Sequence, residues 1–207
     1  MGTLQARHWQ SLLEPGITAI VGAGGKTTVL SKLVEYGGLY GQPVVVTTTT
    51  KLYESQVALW KPYYGHDFNE AEAACREALQ RGRCGAWFSG IDGTKVTALT
   101  GRQIDELNMV HPNWQIVVEA DGAREKWLKA PKSTEPVIPS RTTTTIGVVN
   151  LQVLGTAIDA EHVHNIDEVV EIMEREEGAV VTSTMLAQLV KHPHGLFQYS
   201  AGKKVLF

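Results

Sequence analysis

The chain carries little sulfur, with two cysteines, Cys75 and Cys84, in 207 residues. Two thiols build no disulfide framework, so an apolar core must hold the fold, and the composition fits a reducing cytoplasm. Long hydrophobic runs are also missing. The longest are of strand length, well short of the ~20 residues that span a bilayer. Lys and Arg are scattered, and the formal net charge is −3. That pattern excludes the basic footprint of a nucleic-acid binder. No basic start followed by an apolar stretch opens the chain, which predicts no secretory signal. The expectation is a cytoplasmic protein with neither membrane nor nucleic acid as partner. What is present, 43% hydrophobic and 20% charged residues, suits a single α/β domain over 1–207.

Strand and helix patterns alternate along the chain. Ile17–Val21 reads as a strand, followed by a helix from Lys26 to about Tyr36 that Gly37-Gly38 would stop. Pro43–Thr47 is a continuous β-branched run of the kind found in buried parallel strands. Residues 51–68 look irregular. Asn69 is placed to cap a helix with Glu72 at the third position. Its apolar stripe is Ala71, Ala74, Cys75, Ala78 and Leu79, which makes Cys75 a core residue. Gly85–Phe88 and Lys95–Leu99 flank Asp92-Gly93 and predict a small β-hairpin insertion. Gly101–Asn108 reads as a short helix, Gln115–Gly122 as a third buried strand and Thr142–Val149 as a fourth. Asn165 with Glu168 signals another capped helix. Ala179–Thr182 is a short extended piece, and Thr184–Lys191 a last helix. Lys203–Phe207 begins an apolar strand, which suggests a chain continuing beyond Phe207.

The most informative stretch is Ile17 to Thr28, ITAIVGAGGKTT. A strand enters a loop of Gly22, Ala23, Gly24 and Gly25, and Lys26, Thr27 and Thr28 open a helix. Glycines let successive backbone N–H groups face one anion, and the helix adds the positive end of its dipole. Lys26 would reach the β/γ-phosphates of a nucleotide, and the Thr27 hydroxyl would bind Mg²⁺. Ile20 stands where the full G-x-x-x-x-G-K-[ST] pattern has its first glycine, so the loop is a shortened variant.

Two further segments complete a nucleotide site. Val118-Glu119-Ala120-Asp121-Gly122 ends a hydrophobic strand in carboxylates, as a Mg²⁺ site beside a phosphate loop requires. Strand periodicity puts Glu119 and Asp121 on one face. Asp121 reads as the metal-side residue, and Glu119 as a second ligand or water activator. Thr47–Thr50 ends the second strand, where α/β sheets bind ligands, so Thr48, Thr49 and Thr50 are candidate neighbours of the γ-phosphate. Thr142–Thr145 reflects β-propensity instead. Arg124, Lys126 and Lys129 follow on the next loop, where a cation could stabilise charge on a transferring phosphoryl group. Lys126 reads as solvated, and the prolines of 131–139 stiffen a loop. His162 and His164 alternate as on a strand and His192 and His194 flank a proline, yet no third ligand stands at zinc spacing.

Taken in order, VGAGGKTT at 21–28, VTTTTK at 46–51, VEADGAR at 118–124, KAP at 129–131 and EPVIP at 135–139 resemble the YqeC family. The family is described as selenium-dependent hydroxylase accessory or selenium cofactor biosynthesis proteins. The resemblance spans the chain from about residue 16. It implies a P-loop NTPase-like three-layer fold with a central, mostly parallel sheet, and a cytoplasmic protein binding ATP or GTP with Mg²⁺. It also implies a partner that is a molybdenum hydroxylase or another selenium-cofactor maturation protein. The chain departs from the pattern at Thr134, where members usually have histidine, and at His164-Asn165, where they often have His-Arg. Three functions fit these residues. One is an Mg²⁺-dependent NTP-hydrolysing maturation factor. The others are a small-molecule kinase or nucleotidyl/ligase-type enzyme, and a non-catalytic protein whose partner binding is gated by nucleotide.

Overall fold

A computed structural model describes residues 4–207. Helix α1 (Leu4–Gln10) precedes β1 (Gly16–Gly22), α2 (Lys26–Tyr40) and β2 (Val44–Thr48). Next come β3 (Leu52–Tyr53), α3 (Glu54–Val57), β4 (Tyr63–Tyr64) and α4 (Phe68–Gln80). The middle of the chain forms β5 (Gly85–Phe88), β6 (Gly90–Asp92), β7 (Lys95–Thr97), α5 (Gly101–Val110) and β8 (Gln115–Glu119). The last part forms β9 (Leu128–Lys129), β10 (Thr142–Val148), β11 (Val163–His164), α6 (Ile166–Met173), α7 (Ser183–Lys191) and β12 (Lys203–Leu206).

Seven strands make one sheet in the order β12-β10-β1-β8-β2-β5-β4. Its neighbours pair in parallel. The apolar runs of β1, β2 and β8 have two buried faces to fill, which is why they do not alternate with polar residues. Ile20, Val46 and Val117 pack on Val29, Leu30 and Leu33 of α2. On the other face, Ile17, Val45 and Val118 meet Cys75 of α4 and Ile104 and Leu107 of α5. The result is three layers, with helices on both sides of the sheet. Cys75 lies in that core, and burial pushes its thiol up to about 12. A separate apolar cluster joins β9, β11, α6 and α7, including Leu128, Val163, Met173 and Leu186. Among the described residues no helix is long and apolar enough to cross a membrane.

Local expectations shift in five places. Helix α2 passes through Gly37-Gly38 and ends at Gly41, whose φ is 73°. Gly37 serves close packing: a Cβ there would lie 2.4 Å from Val44 Cγ2. Asp67, not Asn69, caps α4, its side chain accepting from the Glu70 N–H at 2.9 Å. The hairpin turns at Asp92-Gly93 but joins β6 to β7, while β5 enters the central sheet. Residues 51–68 are more ordered than expected, and β3 adds a third strand to the hairpin by pairing with β7. Asn165 precedes α6 in a left-handed conformation without capping it, because its amide donates to Ala130 O and Glu135 instead.

Candidate functional site

The loop between β1 and α2 opens at the carboxyl edge of the sheet. Gly22 has φ 102°, and a Cβ there would come within 2.2 Å of the Val148 carbonyl. Gly24, at φ 69°, would place a Cβ 2.5 Å from Asn150 Cβ. Both positions therefore demand glycine for backbone angle and for close approach. Gly25 precedes α2 with no side-chain cap. The first-turn N–H groups of α2 are consequently free of side-chain partners and available to an anion.

Strand β8 lies directly beside β1, with Ile20 opposite Glu119. That register delivers both carboxylates to the glycine loop, yet they differ in role. Asp121 is 4% exposed and sits beneath the loop. Its Oδ2 accepts the Gly22 N–H at 3.1 Å and lies 3.4 Å from Lys129 Nζ; its Oδ1 is 2.9 Å from Lys26 Nζ. Glu119 instead forms part of the wall of a cleft of about 730 Å³. Its Oε1 is 3.8 Å from Lys26 Nζ, and its Oε2 is buried without a hydrogen-bond partner. Burial, opposed by Lys26 and reinforced by Asp121, pushes the Glu119 carboxyl up to about 7. The direction follows from geometry, since Lys26 is already committed to Asp121 at the shorter distance. Lys26 also donates to Gly22 O at 2.6 Å. Burial acts to lower its pKa, but the charges of Asp121 and Glu119 outweigh burial and raise it.

The threonines divide as well. Thr27, Thr28 and Thr50 line the cleft. The Thr48 hydroxyl donates to Glu119 O at 2.8 Å and the Thr49 hydroxyl to Val137 O at 2.7 Å, so both are engaged with backbone. Ala23 is buried, its N–H donating to Val148 O. Arg124 lines the same cleft, as does His164 of β11. His162 points elsewhere, its Nδ1 2.8 Å from Asp159 Oδ1 and its ring 5.0 Å from that of Trp127. His194 lies 3.0 Å from Gln198 Oε1. Among the described residues no group of three His, Cys, Asp or Glu is arranged to hold a metal.

Sequence reasoning passed over the other half of the cleft. Lys51, Tyr53 and Lys95 come to it from the small antiparallel sheet. Lys129, expected as a loop cation beside Arg124, is instead a second buried lysine whose side chain is 1% exposed and does not line the cleft. It donates to Gly122 O at 2.6 Å and pairs with Glu135 at 2.8 Å. The available signal was its setting in Leu128-Lys129-Ala130-Pro131, because a charge among apolar residues must bring a counter-charge with it.

These features define a class: an α/β protein whose parallel sheet carries a glycine loop to a cleft, with one strand-end carboxylate in the cleft wall and another beneath the loop. The family described as YqeC protein matches residues 18–167. The "Uncharacterized protein YqeC" of Escherichia coli (strain K12) is 31% identical over 184 residues, covering 89% of this chain and 71% of that protein. The chain belongs to the YqeC family. No solved structure matches it.

Proposed function

We propose that this chain binds ATP or GTP with Mg²⁺ at the Gly22–Thr28 loop and hydrolyses it. In this reading it acts as an accessory factor in maturation of selenium-dependent molybdenum hydroxylases. The observation that carries the nucleotide half is the convergence of the glycine loop, the α2 N-terminus and Lys26 with Glu119 on the adjacent strand. The hydroxylase half rests on the family resemblance alone.

The donor set fits Mg²⁺. A hard cation takes carboxylate and hydroxyl oxygens, and Glu119 Oε2 is a buried oxygen that no protein group satisfies. Thr27 and Glu119 would hold the ion, which when bound neutralises charge on the phosphates. Asp121 has a different task here from the one its position at the strand end suggests. It fixes the loop through the Gly22 N–H and holds Lys26 in place.

Calorimetric titration of ATP and GTP with Mg²⁺ into the chain and into Lys26→Ala tests the reading. Saturable binding, weakened at least about a hundredfold in the variant, is the expected result, from loss of a charged contact worth about 3 kcal/mol. Equal binding by both proteins would sink it. Arg124 in the cleft favours a second reading, transfer to a small acceptor instead of water. Turnover only when an acceptor is added would decide for transfer.

A further inference from the structure

The cleft extends past the glycine loop to a wall that a nucleotide's phosphates do not account for. Arg124 and Lys126 reach it from the segment between β8 and β9, Lys95 from β7, and His164 from β11. Two of the charges here are already engaged. Lys126 donates to Glu161 O at 3.2 Å, and Glu135 is paired with Lys129. Arg124 makes no hydrogen bond or ion pair among the described residues. Lys95 is held only over the Tyr53 ring, 4.7 Å from its centre. Glu125 opposes them and is as exposed as Arg124, but Arg124, Lys126 and Lys95 outnumber it, so the wall carries net positive charge.

Backbone conformation supplies an independent sign. Arg124 and Glu125 have φ of 47° and 62°, two successive non-glycine residues in the left-handed region. Such strain persists where the surrounding structure imposes it, and it concentrates at ligand-binding positions. The residue aimed in this way is an arginine, whose planar fork matches the paired oxygens of a carboxylate or phosphate. His164 is half-buried beside it. Burial, then the charges of Lys129 and Arg124, hold its imidazole below the usual range, with Glu135 opposing. A neutral imidazole can donate one hydrogen bond to an oxyanion without adding charge.

We propose that this end of the cleft is a second ligand site. It takes the oxyanion group of a small molecule, a carboxylate or a phosphate ester, held by Arg124 and Lys95 beside His164. This deepens the nucleotide reading by naming the class of the second substrate, but the oxyanion site stands on residues the nucleotide does not need.

The test uses the full chain saturated with Mg²⁺ and a non-hydrolysable triphosphate, titrated calorimetrically with inorganic phosphate and separately with succinate. Saturable binding of at least one anion is expected, weakened about tenfold or more in Arg124→Ala and more mildly in Lys95→Ala. Arg124→Lys, which keeps the charge and loses the fork, should fall between, and circular dichroism checks that each variant folds. Preference for phosphate identifies a phosphate ester, and preference for succinate a carboxylate. No saturable binding of either anion, or binding indifferent to Arg124→Ala, overturns the proposal. So does anion binding that Lys26→Ala abolishes while Arg124→Ala leaves it intact, because the anion then sits in the glycine loop. Arg124-dependent anion binding in a chain that binds no nucleotide would keep this site and remove the nucleotide reading.

Discussion

Glu119 and Asp121 stand two residues apart on one strand end, yet their surroundings differ. Asp121 has Lys26 and Lys129 as ion partners and accepts a backbone N–H through Oδ2, while its Oδ1 faces Lys26 without a hydrogen bond. Glu119 is answered more sparingly, with Lys26 3.8 Å away, a contact from the Thr27 side chain, and Oε2 buried without a hydrogen-bond partner. With its pKa raised from 4.5 to about 7, the folded state holds a proton that the unfolded chain releases. The contribution is therefore fully present below about pH 4.5 and is lost as pH rises through 7. Relative to Glu119→Gln, which cannot ionise, the metal-free protein should lose up to about 3 kcal/mol of stability between pH 5 and 8. Urea unfolding at several pH values measures this, and Mg²⁺ should reverse the loss at pH 8 by favouring the carboxylate. Parallel pH profiles for the two proteins would show that Glu119 is not buried against its charge. None of this difference was visible from strand periodicity, which gives the two carboxylates a common face and says nothing of what lies beside each.

At the scale of elements, glycine separates what the sequence disclosed from what it concealed. The Gly22–Gly25 loop was legible because strand, loop, lysine and helix follow in an order that few other structures share. Gly37-Gly38 reads identically to a helix stop, but α2 continues for two more residues to Tyr40. The deciding fact is long-range: β2 passes so close that Gly37 has no room for a Cβ, while Gly38 has nothing within 4 Å. Gly37→Ala should therefore cost about 1–3 kcal/mol through overpacking against Val44. Gly38→Ala should stabilise by about 0.5–1 kcal/mol, since alanine loses less backbone freedom in a helix. Opposite signs in chemical denaturation are the expected result; stabilisation by both substitutions would mean that helix propensity alone governs the two sites, and destabilisation by both that Gly38 is also closely packed. The same limit explains the misplaced hairpin. Gly85–Phe88 has strand character, but nothing local tells whether it pairs with the next strand or, as it does, with β2 and β4.

Across the whole molecule, the sequence carried the central sheet and one wall of the cleft. It did not carry the second apolar cluster of β9, β11, α6 and α7 as a unit, because that unit forms only when β9 and β11, distant in sequence, come together at the Leu128–Val163 pairing. Lys129 stands at the seam. It belongs to β9, yet its ammonium reaches Gly122 O and Asp121 on the sheet side and Glu135, which Asn165 also contacts, on the other. Phosphate bound in the glycine loop would compete with Asp121 for Lys26. Lys129 would then be the remaining cation paired with Asp121, whose Oδ2 accepts the Gly22 N–H. Lys129→Met should for that reason act twice. It strands buried charge and should destabilise the free protein by about 3 kcal/mol, the lower end for breaking a buried pair because Glu135 is partly exposed. It should also weaken Mg²⁺-nucleotide binding about tenfold, although Lys129 does not line the cleft. Thermal unfolding with and without nucleotide separates the two effects, because a bound ligand at a hundred times its Kd adds about 2.7 kcal/mol to stability. If nucleotide stabilises the variant and the parent equally, Lys129 only holds the two clusters together. A smaller gain in the variant means that the seam and the glycine loop work as one unit, with Asp121 passing the loss of Lys26 on to Lys129.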